Sequence, residues 1–557
     1  MTDIPLATYS EPFVRVLSIG GTGVFGMNCL LVQSPKARLL VDCGVCFPAD
    51  TDLGVDLITP DFSLIENDPP TALLVTHAHE DHIGAIPYLL MAIERNYGKY
   101  KLPIYASDFT LALIKRRLDE HDLTKHAEFN VARAKDVFEF GDMSVEFIDV
   151  CHSIPGSFAF AFETPVGRII HSGDWRIDNT PMVGAKTNLA RFEALGDAGI
   201  RLFLSDSTNV EVDNETITSE LDVFNDIQKC IKAAQGRIFI TLFASNIGRL
   251  QSIIFAAANT NRKLVLCGRS LLTNLATARE LGYIKVPQNL EILREEDIDE
   301  KADDLIFVVA GSQGEKTASL FRISQGKHSI IKLRPTDTLI YSARQIPGNE
   351  RRVDAIINGF YRQGASLVNR PDLTFHSSGH GCQRELELLI ELTDPQIFIP
   401  IHGDQRRLTL HEQLAQNLTH NMKTEVIDEG QAIVLFKDSY EIRDCADLSP
   451  RCVVGKCPNG IDATIMKDKK NMAHQGMLIV AGAIDANDEL VGDLRVHPIG
   501  ICVNDGWFDE LPDELRRTIS SSAYHGDLEE IVRHKAAKYI KATIGRFPTI
   551  VVDLVRV

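Results

Sequence analysis

Residues 71–82 read TALLVTHAHEDH: an apolar, β-type run that ends in three imidazoles and two acids within the six positions from His77 to His82. The run has the composition and length of a strand. Side chains two apart on an extended segment project to the same side, so His77 and His79 can grip one metal ion. Asp81 and His82 then reach toward a second metal as the chain turns into IGAIPYLL. Neutral imidazole and carboxylate together suit Zn²⁺, with Mn²⁺ the less favoured occupant. The bland alternative is a solvated polar loop, but such loops seldom concentrate histidine so heavily.

Working outward, three more residues of metal-binding type stand at the ends of apolar runs. His152 follows VEFIDVC, Asp174 ends RIIHSGD and His402 ends IFIPIH. Singly, a histidine after a strand is more often structural; four such segments together point to one sheet edge that gathers them into a cleft. Strand-like runs (RVLSI, RLLVDCG, RLFLSDS, GRIFITLF, KLVLCG, LIFVVAG, DTLIYSA) alternate with helical patterns such as DFTLALIKRRLDEHD, ELDVFNDIQKCIKAA and RELELLIELTD. That alternation predicts an α/β protein. Residues 446–475 mix Pro, Gly, Asp and Lys without sustained period and read as a linker. Residues 476–557 then read as a small α/β domain, with two strands, one helical stretch around 514–542 and a closing strand.

Composition sets the outer limits. The 557 residues carry 44% hydrophobic and 24% charged side chains, ordinary values for globular domains, and the length suggests three to four of them. No run reaches the ~18 apolar residues of a membrane helix. The N-terminus MTDIPLATYSEPF lacks the basic and apolar regions of a secretory signal, so the expected location is cytoplasmic, with no membrane partner. Lys and Arg number 58 against 76 Asp and Glu, a net charge of −18, which excludes a general basic coat for nucleic acid. A polyanionic substrate then requires a local cation, such as a metal cluster or a basic groove. Eleven cysteines are too few for a disulfide scaffold and fit a reducing compartment.

Two motifs compete for attention. Gly21 to Gly26 satisfies GxGxxG after a strand, with Asp42 downstream, but a dinucleotide fingerprint must open a helix. Here the glycines lead into MNCLLVQ and RLLVDCG, which read as strands, so a tight loop near the metal cleft is the favoured reading. Cys43 and Cys46 form a CxxC with no second CxxC to complete a zinc site, and read as buried strand-end thiols.

The HxHxDH motif with later His, Asp and His residues resembles the metallo-β-lactamase fold, an αββα sandwich that holds two metals. That resemblance implies His77, His79 and His152 on a first Zn²⁺, Asp81, His82 and His402 on a second, and Asp174 bridging. Asp174 and His402 lie 228 residues apart, and the intervening α/β pattern reads as an inserted domain. Its landmarks are Ser205-Asp206-Ser207-Thr208-Asn209, AGSQGE (310–315), SARQIPGNE (342–350) and His376-Ser377-Ser378-Gly379-His380. A core with such an insert resembles the β-CASP nucleases, with Asp206, His380 and His402 at that family's three added motifs. Histidine at the third motif implies RNA rather than DNA.

THAHEDH, SDSTN, GSQGE, IPGNE, SGHG and the early FPADTDLGVDLITPDF are similar to the bacterial ribonuclease J family. The domain limits implied are 1–210 and 376–445 for the core, 211–375 for the β-CASP insert, and 476–557 for a C-terminal α/β domain. The resemblance further implies metal-dependent RNA hydrolysis, as endonuclease and as 5′-to-3′ exonuclease from a 5′ monophosphate, and a homodimer or homotetramer. By it, His376, Ser377, Ser378, Gly379 and His380 hold a nucleotide phosphate. His380 stabilises or protonates the leaving group and Asp206 orients it, while a turn-capping aspartate is the plainer reading of Asp206. Arg344, Arg351 and Arg352 would add to the groove, or form a solvated helix face. Two departures stand out: Gly156 replaces the acid usual after HSIP, and GTGVFGMN lacks the usual glutamate. The alternative functions are a dizinc hydrolase of a small-molecule ester or thioester, and a noncatalytic RNA-binding subunit.

Overall fold

Apolar runs that bury both faces become the central strands, as expected where sheets are covered on two sides. In the computed structural model the described residues are 9, 11–48, 54–213, 218–299, 301–346, 348–368, 370–418, 421–455, 457–461, 463–501, 506, 508–521 and 527–557. Part of the FPADTDLGVDLITPDF motif (49–53) and Pro347 of IPGNE lie outside them. The chain divides into two compact units, Met1–Cys46 with Thr59–Pro450, and Phe47–Ile58 with Arg451–Val557.

The first unit contains an eight-stranded and a seven-stranded sheet. Val16, Leu39 and Leu74 of one sheet share a core with Phe160, Leu204 and Ile399 of the other, so the two sheets pack face to face. Behind the seven-stranded sheet, Ile170, Phe203 and Phe398 meet Phe192, Leu389 and Leu414 from the helices Leu189–Asp197, Gln383–Thr393 and Gln405–Leu418. The register of the seven-stranded sheet matters most for function. Strands Ile169–His171, Leu202–Asp206 and Ile397–Ile401 run parallel, with Ile169, Leu202 and Ile397 side by side. Their C-terminal ends are therefore level, which sets Asp174, Asp206 and His402 on one edge. Met143–Val150 joins through two antiparallel pairings and ends at the same edge, just before His152.

A third, six-stranded sheet, all parallel, is built from strands between Ile238 and Leu367. Its core stacks Phe239 on Phe307 with ring centroids 4.5 Å apart. The preceding helix Glu220–Ala233 starts with a Ser219/Asp222 capping box and buries Val223, Ile227 and Ile231 at helical spacing.

In the second unit, strands Leu490–Ile499, Met477–Ile484 and Thr549–Arg556 form a sheet packed on helices Leu511–Ile519 and Leu528–Ile544. The single helical stretch expected over 514–542 is thus two helices, with Asp527 capping the second. The expected linker 446–475 also needs correction: it carries the strands Arg451–Val454 and Cys457–Ile461 and the helix Ala463–Gln475. Its strand register comes from chain far upstream, where Asp56 N–H bonds Val453 O at 2.9 Å. A local reading of 446–475 cannot see that partner. No helix among the described residues is long and apolar enough to cross a membrane.

Candidate metal centre

The loop after the strand Ala72–Leu74 delivers His77, His79, Asp81 and His82 to the edge where the second sheet ends. Three donor groups result: His77, His79, His152 and Asp174; Asp81, His82 and His402; and Asp174, Asp206, His380 and His402. All seven residues expected to ligate metal are therefore drawn to one place.

The spacings test whether these side chains suit a metal. Ligands at 2.0–2.1 Å on a tetrahedral Zn²⁺ stand about 3.3 Å from one another. In the first group His79 Nδ1 lies 3.0 Å from His77 Nε2 and 3.1 Å from His152 Nε2, and His77 Nε2 lies 3.6 Å from Asp174 Oδ2. In the second, His402 Nε2 to Asp81 Oδ2 is 3.3 Å, His82 Nε2 to Asp81 Oδ2 is 3.6 Å and His82 Nε2 to Asp174 Oδ2 is 3.3 Å. Both sets fit the edge lengths of a coordination shell, and Asp174 of the first set lies at the same spacing from His82 of the second.

Electrostatics divides the site in two. Burial, reinforced by neighbouring imidazoles, lowers the pKa of His77, His79 and His152, with His79 near 4; these rings stay neutral, the form that ligates. Burial opposes charge on His82 and His402 too, but Asp174 and the other carboxylates outweigh it and hold His82 up to about 10. The acid-rich half of the site thus calls for positive charge.

Three of the imidazoles are oriented by a partner on the other nitrogen. His152 Nδ1 meets Gly379 O at 2.6 Å, and His82 Nδ1 meets Asp42 Oδ2 at 2.7 Å. His77 Nδ1 meets Thr76 Oγ1 at 3.0 Å, and Thr76 Oγ1 in turn donates to Asp42 Oδ2 at 2.8 Å. Asp42 therefore fixes rings on both sides of the centre, as outer partners of metal-binding histidines do. Sequence reading noticed Asp42 only as an appendage of GxGxxG. The glycine loop opens no helix; Thr22–Gly23 pairs with Gly403–Asp404, and Gly21 O accepts from His402 N–H at 3.1 Å. Cys43 is buried and Cys46 half-buried, and neither forms a disulfide.

Asp206 makes a contact toward each of its two expected roles. Oδ1 caps the turn through Thr208 N–H at 2.9 Å, while Oδ2 lies 2.7 Å from His380 Nδ1. The 376–380 segment is fixed elsewhere as well. Ser377 Oγ donates to Glu220, Ser378 Oγ accepts from Asn209 Nδ2 at 2.7 Å, and His376 Nδ1 is buried without a hydrogen-bond partner. A Cβ at Gly379 would stand 2.6 Å from His152 Cε1, so a side chain there would displace that imidazole. Arg344 donates to Asn209 Oδ1 at 2.6 Å, and Arg351 is exposed on the helix Glu350–Arg362. Glu220, Arg249 and Arg176, which hold this segment, give no sign in the sequence because they lie on separate elements, and Asn209 stands out only as the end of SDSTN.

Family models match along the chain: Metallo-beta-lactamase superfamily over residues 22–185, Ribonuclease J beta-CASP domain over 235–360, Zn-dependent metallo-hydrolase RNA specificity domain over 373–426, and Ribonuclease J C-terminal domain over 464–557. Ribonuclease J of Mycolicibacterium smegmatis is 39% identical over 554 residues, covering 98% of this chain and 97% of the relative. The chain belongs to the ribonuclease J family. Ribonuclease J 1 of Streptococcus pyogenes is 37% identical over 481 residues (86% of this chain, 84% of the relative). Ribonuclease J of Thermus thermophilus is 32% identical over 570 residues, covering 97% and 95%. As a member of the ribonuclease J family, the protein is a metal-dependent ribonuclease acting on RNA. A solved protein of unknown function from Enterococcus faecalis shares the fold, with TM-score 0.52 and 17% identity over 76% of this chain and all of that one.

Proposed function

We propose that the protein cleaves RNA phosphodiester bonds at a pair of Zn²⁺ ions, both within the strand and stepwise from a 5′-monophosphorylated end. The observation that carries this reading is the convergence of seven donor side chains at ligand spacing, with Asp174 Oδ2 3.6 Å from His77 Nε2 and 3.3 Å from His82 Nε2. His77, His79 and His152 would hold one ion, Asp81, His82 and His402 the other, and Asp174 both. Ions held there supply Lewis acidity to a phosphodiester and its attacking water.

The chain's own residues do the rest. Asp206 anchors Nδ1 of His380, which leaves Nε2 as the atom to meet the leaving 3′ oxygen and deliver its proton. Ser378 Oγ, which accepts from Asn209, keeps its own hydrogen free for a substrate oxygen. A cleft lined by His152, Ser153, Arg176, Ser377 and Ser378 among others lies beside the centre, where a terminal phosphate would dock. Self-association as a dimer or tetramer belongs to the same proposal. Elemental analysis combined with product mapping on RNAs that differ only in 5′ phosphate state tests it: two zinc equivalents and mononucleotides from the monophosphorylated RNA are expected. Thioester turnover without RNA cleavage would overturn it.

A further inference from the structure

Arg249 is fully buried, and its guanidinium is spent inside the protein. Nε and Nη2 form a fork onto Glu220, at 3.0 and 2.8 Å. Nη1 donates to Phe375 O at 2.6 Å, where Ser342 Oγ donates as well. Glu220 in turn accepts from Ser377 Oγ. An ion pair taken out of water seldom stabilises more than well-packed apolar residues of the same volume. What this pair adds is direction: a planar fork and a carboxylate together fix the Phe375 carbonyl and the Ser377 hydroxyl, at the start of the 376–380 segment.

The other side of the segment is held from the core. Arg176 Nη1 donates to Ser378 O at 2.7 Å, and its Nη2 pairs with Asp178 at 3.1 Å. Asp178 Oδ2 also accepts Glu220 N–H, at 2.9 Å. Ser377 and Ser378 are thus gripped from the insert and from the core respectively, and the two grips meet at Glu220. Burial resists charge on Glu220, but Arg249 outweighs it and lowers the carboxyl to about 2, so the grip stays ionised at neutral pH.

We infer that Glu220 and Arg249 form a positioning pair that sets the 376–380 segment against the 5′-terminal phosphate of RNA, and so governs how strongly cleavage depends on that phosphate. The inference rests on the proposed phosphate role of that segment. Neither residue reaches the donor groups of the metal centre, so losing the pair should weaken recognition of the RNA end and leave the chemistry in place.

The test uses the full-length, metal-loaded protein with E220Q, E220D and R249K variants. The substrates are one RNA oligomer with a 5′ monophosphate, the same oligomer with a 5′ hydroxyl, and a circular RNA. For E220Q the KM on monophosphorylated RNA should rise about tenfold with kcat within about twofold, the pattern of lost binding rather than lost chemistry. Zinc content should not change, and circular RNA should be cut with far smaller loss. E220D, which keeps the charge, should recover part of the preference. R249K keeps the charge but loses the fork onto Glu220 and should raise KM in the same way, which covers the case of E220Q folding poorly. Proportional slowing on all three RNAs would mean a merely structural role, and an unchanged 5′ preference in E220Q and R249K would also overturn the inference. If the unaltered protein ignores the 5′ phosphate, the phosphate reading fails first and carries the inference down with it.

Discussion

Asp42→Asn tests the metal centre through a residue that is no ligand. Asp42 is buried and accepts three hydrogen bonds: Thr76 N–H at 2.8 Å, Thr76 Oγ1 at 2.8 Å and His82 Nδ1 at 2.7 Å. Because Thr76 Oγ1 donates to Asp42, it is left to accept from His77 Nδ1, so one carboxylate sets the tautomers of both His77 and His82. An amide of the same shape keeps one acceptor and turns the other into a donor. His82 then carries its proton on Nε2, the atom that faces Asp81 and Asp174, where a metal would need a lone pair. A hydrogen bond to a charged group contributes about 1.5–3 kcal/mol. That equals roughly the 10- to 100-fold loss of metal affinity seen when outer partners are removed. The backbone makes asparagine the right replacement: Asp42 has φ +59°, a left-handed conformation that asparagine tolerates and alanine resists by about 1–2 kcal/mol. Competition with a chromogenic zinc chelator should show affinity lowered by 10- to 100-fold for Asp42→Asn with little change in thermal stability of the loaded protein. Asp42→Ala should add a stability loss. Zinc affinity and RNA turnover equal to the unaltered protein in Asp42→Asn would refute the orienting role.

Three further outcomes follow from other parts of the fold. His380→Ala should slow RNA cleavage by about 10²–10⁴-fold at unchanged zinc content, and Asp206→Asn by less, as measured in single-turnover assays at saturating metal. Gly156→Ala places a Cβ 2.4 Å from Ser107 Oγ at φ +72°, so denaturant titration should show a loss of about 2–4 kcal/mol. Adding Ser107→Gly should restore roughly half of it, since glycine in place of serine at that helix N-cap costs only a few tenths. Burial raises the pKa of Glu429 from 4.5 to about 7, against one hydrogen bond from Gly21, and its Oε1 has no partner. The folded state therefore prefers the protonated acid, and the cost of ionising it is absent below about pH 4.5, grows through pH 7 and is complete above it. Glu429→Gln should raise stability at pH 8 by about 1 kcal/mol after allowance for solvent screening, and change nothing at pH 4.5, read by urea unfolding at both pH values.

The sequence showed those parts of the site that local chemistry concentrates. His77 to His82 declare themselves because five chemically unusual residues share one turn. His152, Asp174 and His402 are legible as strand ends, since each follows an apolar run that a parallel register can bring level. Asp42 gave no such sign; an acid after RLLV becomes meaningful only when Thr76 and His82 stand beside it. Glu220 and Arg249 look like ordinary members of amphipathic helices, and their pairing depends on two helices crossing in space. The linker reading of 446–475 failed for the same reason, because the strand Arg451–Val454 runs beside chain almost four hundred residues upstream.

One difficulty posed by the composition has an answer in the geometry. A chain of net charge −18 must attract a polyanion, and the arginines near the cleft are the obvious means. Yet Arg249 is spent on Glu220, Arg176 on Asp178 and Ser378 O, and Arg344 on Asn209. These guanidiniums shape the groove; they are not a row of free cations for the RNA backbone. On the proposed reading, the donor cluster supplies charge that these guanidiniums do not: neutral imidazoles outnumber the carboxylates in the half around His77, His79 and His152, so a divalent ion there would keep most of its charge. Charge concentrated at that cluster would hold the scissile phosphate more strongly than its neighbours, and so would place the RNA by its reacting group.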